Sequence, residues 1–157
     1  MINAKRSHNC GVVGKELAGQ QVVLCGWVAK RRDHGGLIFV DLRDRSGIVQ
    51  VVVDPETAGE SFKVAEDIRG EYVVKVAGKV AMRDAATVNA NIATGEIDIM
   101  AEEIEVLNAA KTPPFYIADG IDTDENLRLK YRYLDLRRPE MQRNIILRHK
   151  VTKLMRD

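Results

Sequence analysis

The chain is poor in the residues that build covalently or metal-held scaffolds. Its 157 residues contain two cysteines, Cys10 and Cys25. Two cysteines cannot make a disulfide framework or a metal set. Cys25, between Leu24 and Gly26 in an apolar run, reads as a buried structural thiol. No apolar stretch approaches the roughly 18 residues of a membrane span. The opening residues, MINAKRSHNC, lack the apolar segment of an export signal. Together these features imply a reducing, cytoplasmic setting. Walker and G-x-G-x-x-G phosphate loops are missing, as is any metal-spaced Cys/His set. His8, His34 and His149 are scattered, and none adjoins a plausible nucleophile. Glu102, Glu103 and Glu105 read as a solvated edge. Neither a catalytic site nor a metal site is therefore expected. Aromatic residues are also scarce, at 5%, so one placed against the local pattern stands out.

What is present is the composition of a globular protein, 45% hydrophobic and 30% charged. The net charge of +1 hides a polarity. Residues 1–54 carry a net +3, residues 55–110 a net −6 and residues 111–157 a net +4. An anionic partner would be met at the two ends of the chain.

VVLCGWV (22–28) is a β-rich run with apolar residues on both faces. KRRDHGG (30–36) follows as a basic loop closed by a Gly-Gly turn. Leu37–Arg43 alternates: Ile38, Val40 and Leu42 face one way, and Leu37, Phe39, Asp41 and Arg43 the other. A tight connection at 44–47 leads into Ile48–Asp54, with Val49, Val51 and Val53 on the core side. Closing that hairpin places Arg43 opposite Ile48, Asp41 opposite Gln50 and Phe39 opposite Val52. Residues 57–69 have a helical apolar stripe, with Gly70 as C-cap. A fourth strand runs from Tyr72 to Val80. A long hairpin loop, 83–96, precedes a fifth strand starting at Glu96. Its alternation slips after Ala101, which calls for a bulge near 101–103.

Three strands, a helix and two strands give the pattern of a five-stranded OB-fold barrel, with one helix between strands 3 and 4. Pro113, Pro114 and Gly120 mark a linker. Asp122 to Glu125 resembles a capping box opening a helix over 124–137, and Pro139 opens a second. The apolar residues of that last helix find no partner in the chain, so the sequence reads as a piece of a larger protein. The fold class expected is thus all-β with helical additions, followed by a linker and two helices of a truncated α+β domain. The divisions are residues 1–107, a hinge at 108–125, and 126–157.

Phe39 is the anomaly, a ring on the face that should be wet. Arg31, Arg32 and Arg43 lie near it in sequence, and Gln50 sits across the hairpin. An aromatic flanked by cations on an OB barrel stacks single-stranded bases, at about 1–3 kcal/mol per base. Gln50 and an acidic residue of strand 5 can read the edge of an unstacked base.

GWVAKRRDHGGLIFVDLRDRSGIVQVV, ATGEIDI and LRLKYRYLDLRRPEMQ resemble the N-terminal part of bacterial aspartyl-tRNA synthetases. YRYLDLRRPEMQ (131–142) is the most specific segment; lysine and asparagine enzymes share part of it. The resemblance implies an anticodon-binding domain, a hinge, and the start of a class II catalytic domain. It implies that Phe39 stacks on the central anticodon base, with Gln50, Arg31, Arg32, Glu96 and Asp98 around it. Asp98 stands where the family has the longer Glu, and Thr87 where it often has Asn. His34 stands where discriminating enzymes usually have Leu. It is similar to enzymes that charge both tRNA(Asp) and tRNA(Asn), so His34 and Thr87 become specificity positions. The full-length enzyme is expected to be a homodimer using ATP and Mg2+ to make aspartyl-adenylate, with tRNA(Asp) as partner and tRNA(Asn) as the second partner that the resemblance at His34 implies. Those sites would lie beyond residue 157. Two other readings stay open: a free-standing single-strand-binding OB module, and a sibling asparagine or lysine ligase.

Overall fold

The structure, a computed structural model, describes residues 2 and 5–157. The chain divides into two compact units, Met1–Thr112 and Pro113–Asp157.

The first unit is a closed barrel of β1 (Gln21–His34), β2 (Leu37–Arg43), β3 (Ile48–Val53), β4 (Val73–Met82) and β5 (Ile97–Asn108), in the order β1-β2-β3-β5-β4. Only the β3–β5 pair is parallel. Alternation builds the core. Val22, Leu24 and Val28 meet Ile38, Val40, Leu42, Val49, Val51, Val53, Val74, Val76, Val80, Ile97 and Ile99 inside. The expected β2–β3 register holds: Arg43 faces Ile48, Asp41 faces Gln50, and Phe39 faces Val52. The bulge in β5 also falls where the alternation slips. Ala77 pairs with Glu103 and Gly78 with Ala101, leaving Glu102 unpaired. Gly78 permits this, since a Cβ there would lie 2.3 Å from the Met100 carbonyl oxygen.

β1 is twice as long as expected. Residues 30–34 are not a loop but continue the strand, paired with β2 as far as His34 opposite Leu37. Gly35 and Gly36, at φ 62° and 80°, make the two-residue turn whose twist matches the strands. The pairing shifts between Val28 and Lys30, so Ala29 is a bulge. Beyond it the parity of β1 inverts.

The helix expected at 57–69 starts earlier and is split. α1 (Pro55–Ala58) is capped by the Asp54 carboxylate, which accepts from the Glu56 amide at 2.8 Å. Gly59, at φ 51°, separates it from α2 (Glu60–Asp67). Ile68, not Gly70, is the C-cap of α2, because its side chain turns into the core.

In the second unit the expected single helix is two. α3 (Glu125–Lys130) is capped by Asp124, which accepts from the amides of Asn126 and Leu127. The cap is therefore Asp124 and not Asp122. Tyr131 breaks the helical backbone before α4 (Arg132–Asp135). The break accompanies a buried carboxylate. Asp135 is ion-paired with Arg132 at 2.5 Å and Arg138 at 3.0 Å, with Arg128 at 4.0 Å. Hence the R-Y-L-D-L-R-R run is an internal ion-pair knot. α5 (Pro139–Arg156) starts at its proline as expected, and the Asp119 carboxylate accepts from the Glu140 amide. None of its described residues is buried, and Leu154 and Met155 are 81% and 83% exposed.

Candidate nucleic-acid interface

The β-register gathers one outward row across four strands. From β1 come Lys30, Arg32 and His34, opposite Asp41, Phe39 and Leu37 of β2. β3 adds Gln50 and Val52, and β5 adds Asp98 and Met100. Val52 is buried even though it belongs to this row, while the Phe39 ring is half-buried.

Beside Phe39 runs a continuous polar chain. Arg32 Nη2 donates to Asp41 Oδ1 at 2.6 Å and to Gln50 Oε1 at 3.1 Å. Gln50 Nε2 donates to Asp98 Oδ1 at 3.0 Å. Arg83 Nε donates to the same oxygen at 2.9 Å and to the Ile97 carbonyl at 3.1 Å. Arg83 Nη1 reaches the Thr87 carbonyl at 3.4 Å. The Gln50 amide is thus oriented by a cation on one side and a carboxylate on the other. A primary amide can make four hydrogen bonds, and this chain uses one at each end. Burial pushes the Asp98 carboxyl up, and Arg83 and Gln50 only partly offset it. Arg83, whose side chain is 4% exposed, escaped the sequence reading. It directly follows β4, with its amide donating to the Glu96 carbonyl, and a lone arginine at the end of an apolar strand was the available signal.

The structure brings Arg32, Phe39, Gln50 and Asp98 together, with His34 exposed at the turn of the same row and Thr87 joined through Arg83. Arg31, Arg43 and Glu96 are turned elsewhere. The Ala29 bulge sends Arg31 to the opposite face, where its Nε donates to the Ala65 carbonyl of α2 at 2.8 Å. Arg43 is tied to Glu71 by bonds of 2.8 and 2.9 Å. Glu96 precedes β5 and pairs with Lys15 at 3.4 Å. Of the three arginines near Phe39 in sequence, Arg32 is the one the register sets directly opposite it.

A closed five-stranded barrel of this strand order defines the OB fold. The chain belongs to that family: residues 22–107 match the OB-fold nucleic acid binding domain of the tRNA anticodon type. Residues 124–157 match the class II tRNA synthetases (D, K and N). It is 65% identical over 153 residues to the aspartate–tRNA(Asp/Asn) ligase of Heliobacterium modesticaldum, covering 98% of this chain and 25% of that protein. It is 58% identical over 153 residues to the aspartate–tRNA ligase of Geobacillus kaustophilus, covering 98% of this chain and 26% of that one. The chain thus spans about a quarter of the length of the curated relatives it matches. Among solved structures, the asparaginyl-tRNA synthetase of Pyrococcus horikoshii complexed with asparaginyl-adenylate aligns at TM-score 0.72 and 31% identity, over 86% of this chain and 29% of that one. An OBody bound to hen egg-white lysozyme aligns at TM-score 0.60 and 29% identity, over 69% of this chain and all of that one.

Proposed function

We propose that the chain is the anticodon-reading part of an aspartate–tRNA ligase. The observation that carries this reading is the half-buried Phe39 ring opposite Arg32 and beside the Gln50–Asp98 chain. An unstacked base lies on the ring, while Gln50 and Asp98 offer a donor and acceptors to its edge. Arg32 supplies the cation beside it. The similarity to aspartate ligases, and the class II match of residues 124–157, favour this over a free-standing single-strand binder. In this reading residues 1–107 are the anticodon domain, 108–125 the hinge, and 126–157 the start of the catalytic domain.

The longer protein would activate aspartate with ATP and Mg2+ and transfer it to tRNA(Asp), acting in the cytoplasm as a homodimer. The open apolar residues of α5 are consistent with a covered surface there. Among the described residues no group of three or more His, Cys, Asp or Glu side chains is placed to hold a metal ion. In this reading the ATP, Mg2+ and aspartate sites belong to the longer protein, and no chemical step is assigned to this chain.

Binding of fluorescent anticodon stem-loops to the 157-residue chain tests the reading. The aspartate anticodon should bind more tightly than permuted ones. Phe39→Ala should weaken it by about 1–3 kcal/mol. Equal affinity for any single strand, or no effect of the substitution, would overturn the assignment. His34, exposed at the end of the row, is the proposed determinant of whether tRNA(Asn) is accepted as well. Charging of both tRNAs by the full-length enzyme and its His34→Leu variant checks this. The substitution should depress tRNA(Asn) charging selectively, and an unchanged ratio would reject that role.

A further inference from the structure

β1 pairs with β2 only from Trp27 onwards, so its earlier edge is open to another segment. The N-terminal segment takes it: the Ser7 amide donates to the Val23 carbonyl at 2.8 Å, and Ser7 Oγ accepts from the Val23 amide at 2.8 Å. The β2–β3 turn comes in from the other side, held by Asp44. Between the two lies a notch of about 290 Å³, lined by Arg6, Cys25, Gly26, Trp27, Arg45 and Val73, with Asp44. That volume is near the lower end of small-molecule sites, about 300 Å³. The walls are largely apolar, with a half-buried indole and a partly exposed thiol. The rim carries two exposed guanidinium groups, Arg6 and Arg45. Asp44, whose carboxylate accepts from the amides of Cys10, Ser46 and Gly47 and from the Ser46 hydroxyl, keeps its charge, so the formal charges of Arg6, Arg45 and Asp44 leave the lining net positive. Trp27 faces Arg43, four residues from Phe39 along β2, or about 13 Å of strand. The notch is therefore separate from the Phe39 platform but on the same barrel.

We propose that this notch is a second nucleotide site, taking one base against the Trp27 indole with its phosphate between Arg6 and Arg45, so that bound RNA is held outside the three letters read at Phe39. An indole face with a cationic rim matches a nucleotide in both shape and charge. The proposal rests on the chain being an RNA binder, and its test separates the two claims.

Trp27 is the only tryptophan, so intrinsic fluorescence reads this notch alone. Cys10 is fully buried, so alkylation at alkaline pH reads Cys25 first. The probes are a labelled anticodon stem-loop, followed by anisotropy, and AMP. Both should quench Trp27 saturably and slow Cys25 alkylation several-fold. Phe39→Ala should weaken stem-loop binding yet leave quenching by AMP intact. Arg45→Ala and Arg6→Ala should each weaken quenching and lower the slope of log affinity against log salt by about one. Stem-loop binding with unchanged Trp27 emission and unprotected Cys25 overturns the notch site and leaves the anticodon reading standing. No stem-loop binding with quenching by AMP overturns the anticodon reading and keeps the notch. Quenching by neither probe overturns the notch.

Discussion

Asp44 does more for the fold than its place in a hairpin turn suggests. Its carboxylate accepts from the Cys10 amide at 2.8 Å, 34 residues away in sequence, and from the Ser46 and Gly47 amides of its own turn. It thereby clamps the N-terminal segment to the β2–β3 connection. Burial pushes this carboxyl up, but the Ser46 hydroxyl and the three amides outweigh that and hold it below its ordinary value. The charged form is therefore the one the fold favours. Its contribution is fully present above the unfolded value, about 3.9. It is lost as the pH falls through the lower folded value, where the native carboxylate takes up its proton. Asp44→Asn removes the charge and one acceptor. It should cost about 1–3 kcal/mol at neutral pH, and the gap to the parent should close in acid. Urea midpoints for both proteins across the acid range measure this. A gap independent of pH would mean that the clamp does not depend on charge.

At the scale of elements, the β2–β3 hairpin was readable because its alternation is strict and its turn is short. Every register pair expected there is present. The β5 bulge was readable for the related reason that Ile104 breaks the parity set by Ile97, Ile99 and Ala101. β1 was not, because Lys30 to His34 are polar at every position, so neither period nor parity can be read from them. Only pairing with β2 defines that stretch as strand, and only the register shows the Ala29 bulge. For the same reason Arg31 and Arg32 looked equivalent in sequence, although the fold sends one to α2 and the other to Phe39. Gln50 was legible as outward-facing from its parity and Asp98 was singled out by the family resemblance, and the structure joins the two by a hydrogen bond, whereas Arg83 lies where the fourth strand was taken to have ended. Deleting Ala29 should restore a regular ladder and swap the faces of Arg31 and Arg32. Stem-loop affinity should then fall at least as far as in Arg32→Ala, while the barrel's far-UV circular dichroism remains. Parental affinity in the deletion would show that the bulge does not set which arginine faces the site.

The whole molecule combines one self-contained core with one incomplete surface. Every residue of the hydrophobic core cluster lies between Cys10 and Ile104, and the barrel is closed, with the early edge of β1 met by Ser7. α5, in contrast, carries apolar side chains but has no buried residue among those described. An 18-residue helix is near the length at which isolated helices become marginal in water. The first unit should therefore fold without the second. A chain ending at Thr112 should keep a single cooperative transition, with a Tm within about 4 °C of the 157-residue chain, the shift expected from roughly 1 kcal/mol. It should also keep the Trp27 emission and anticodon stem-loop affinity of the longer chain, because Phe39, Arg32, Gln50, Asp98 and Trp27 all belong to it. Calorimetry, tryptophan emission and anisotropy on the two chains measure the three quantities side by side. Loss of the cooperative transition on truncation would mean that residues 113–157 are part of the barrel's stability. Loss of affinity with the transition intact would instead place part of the RNA contact on the helices.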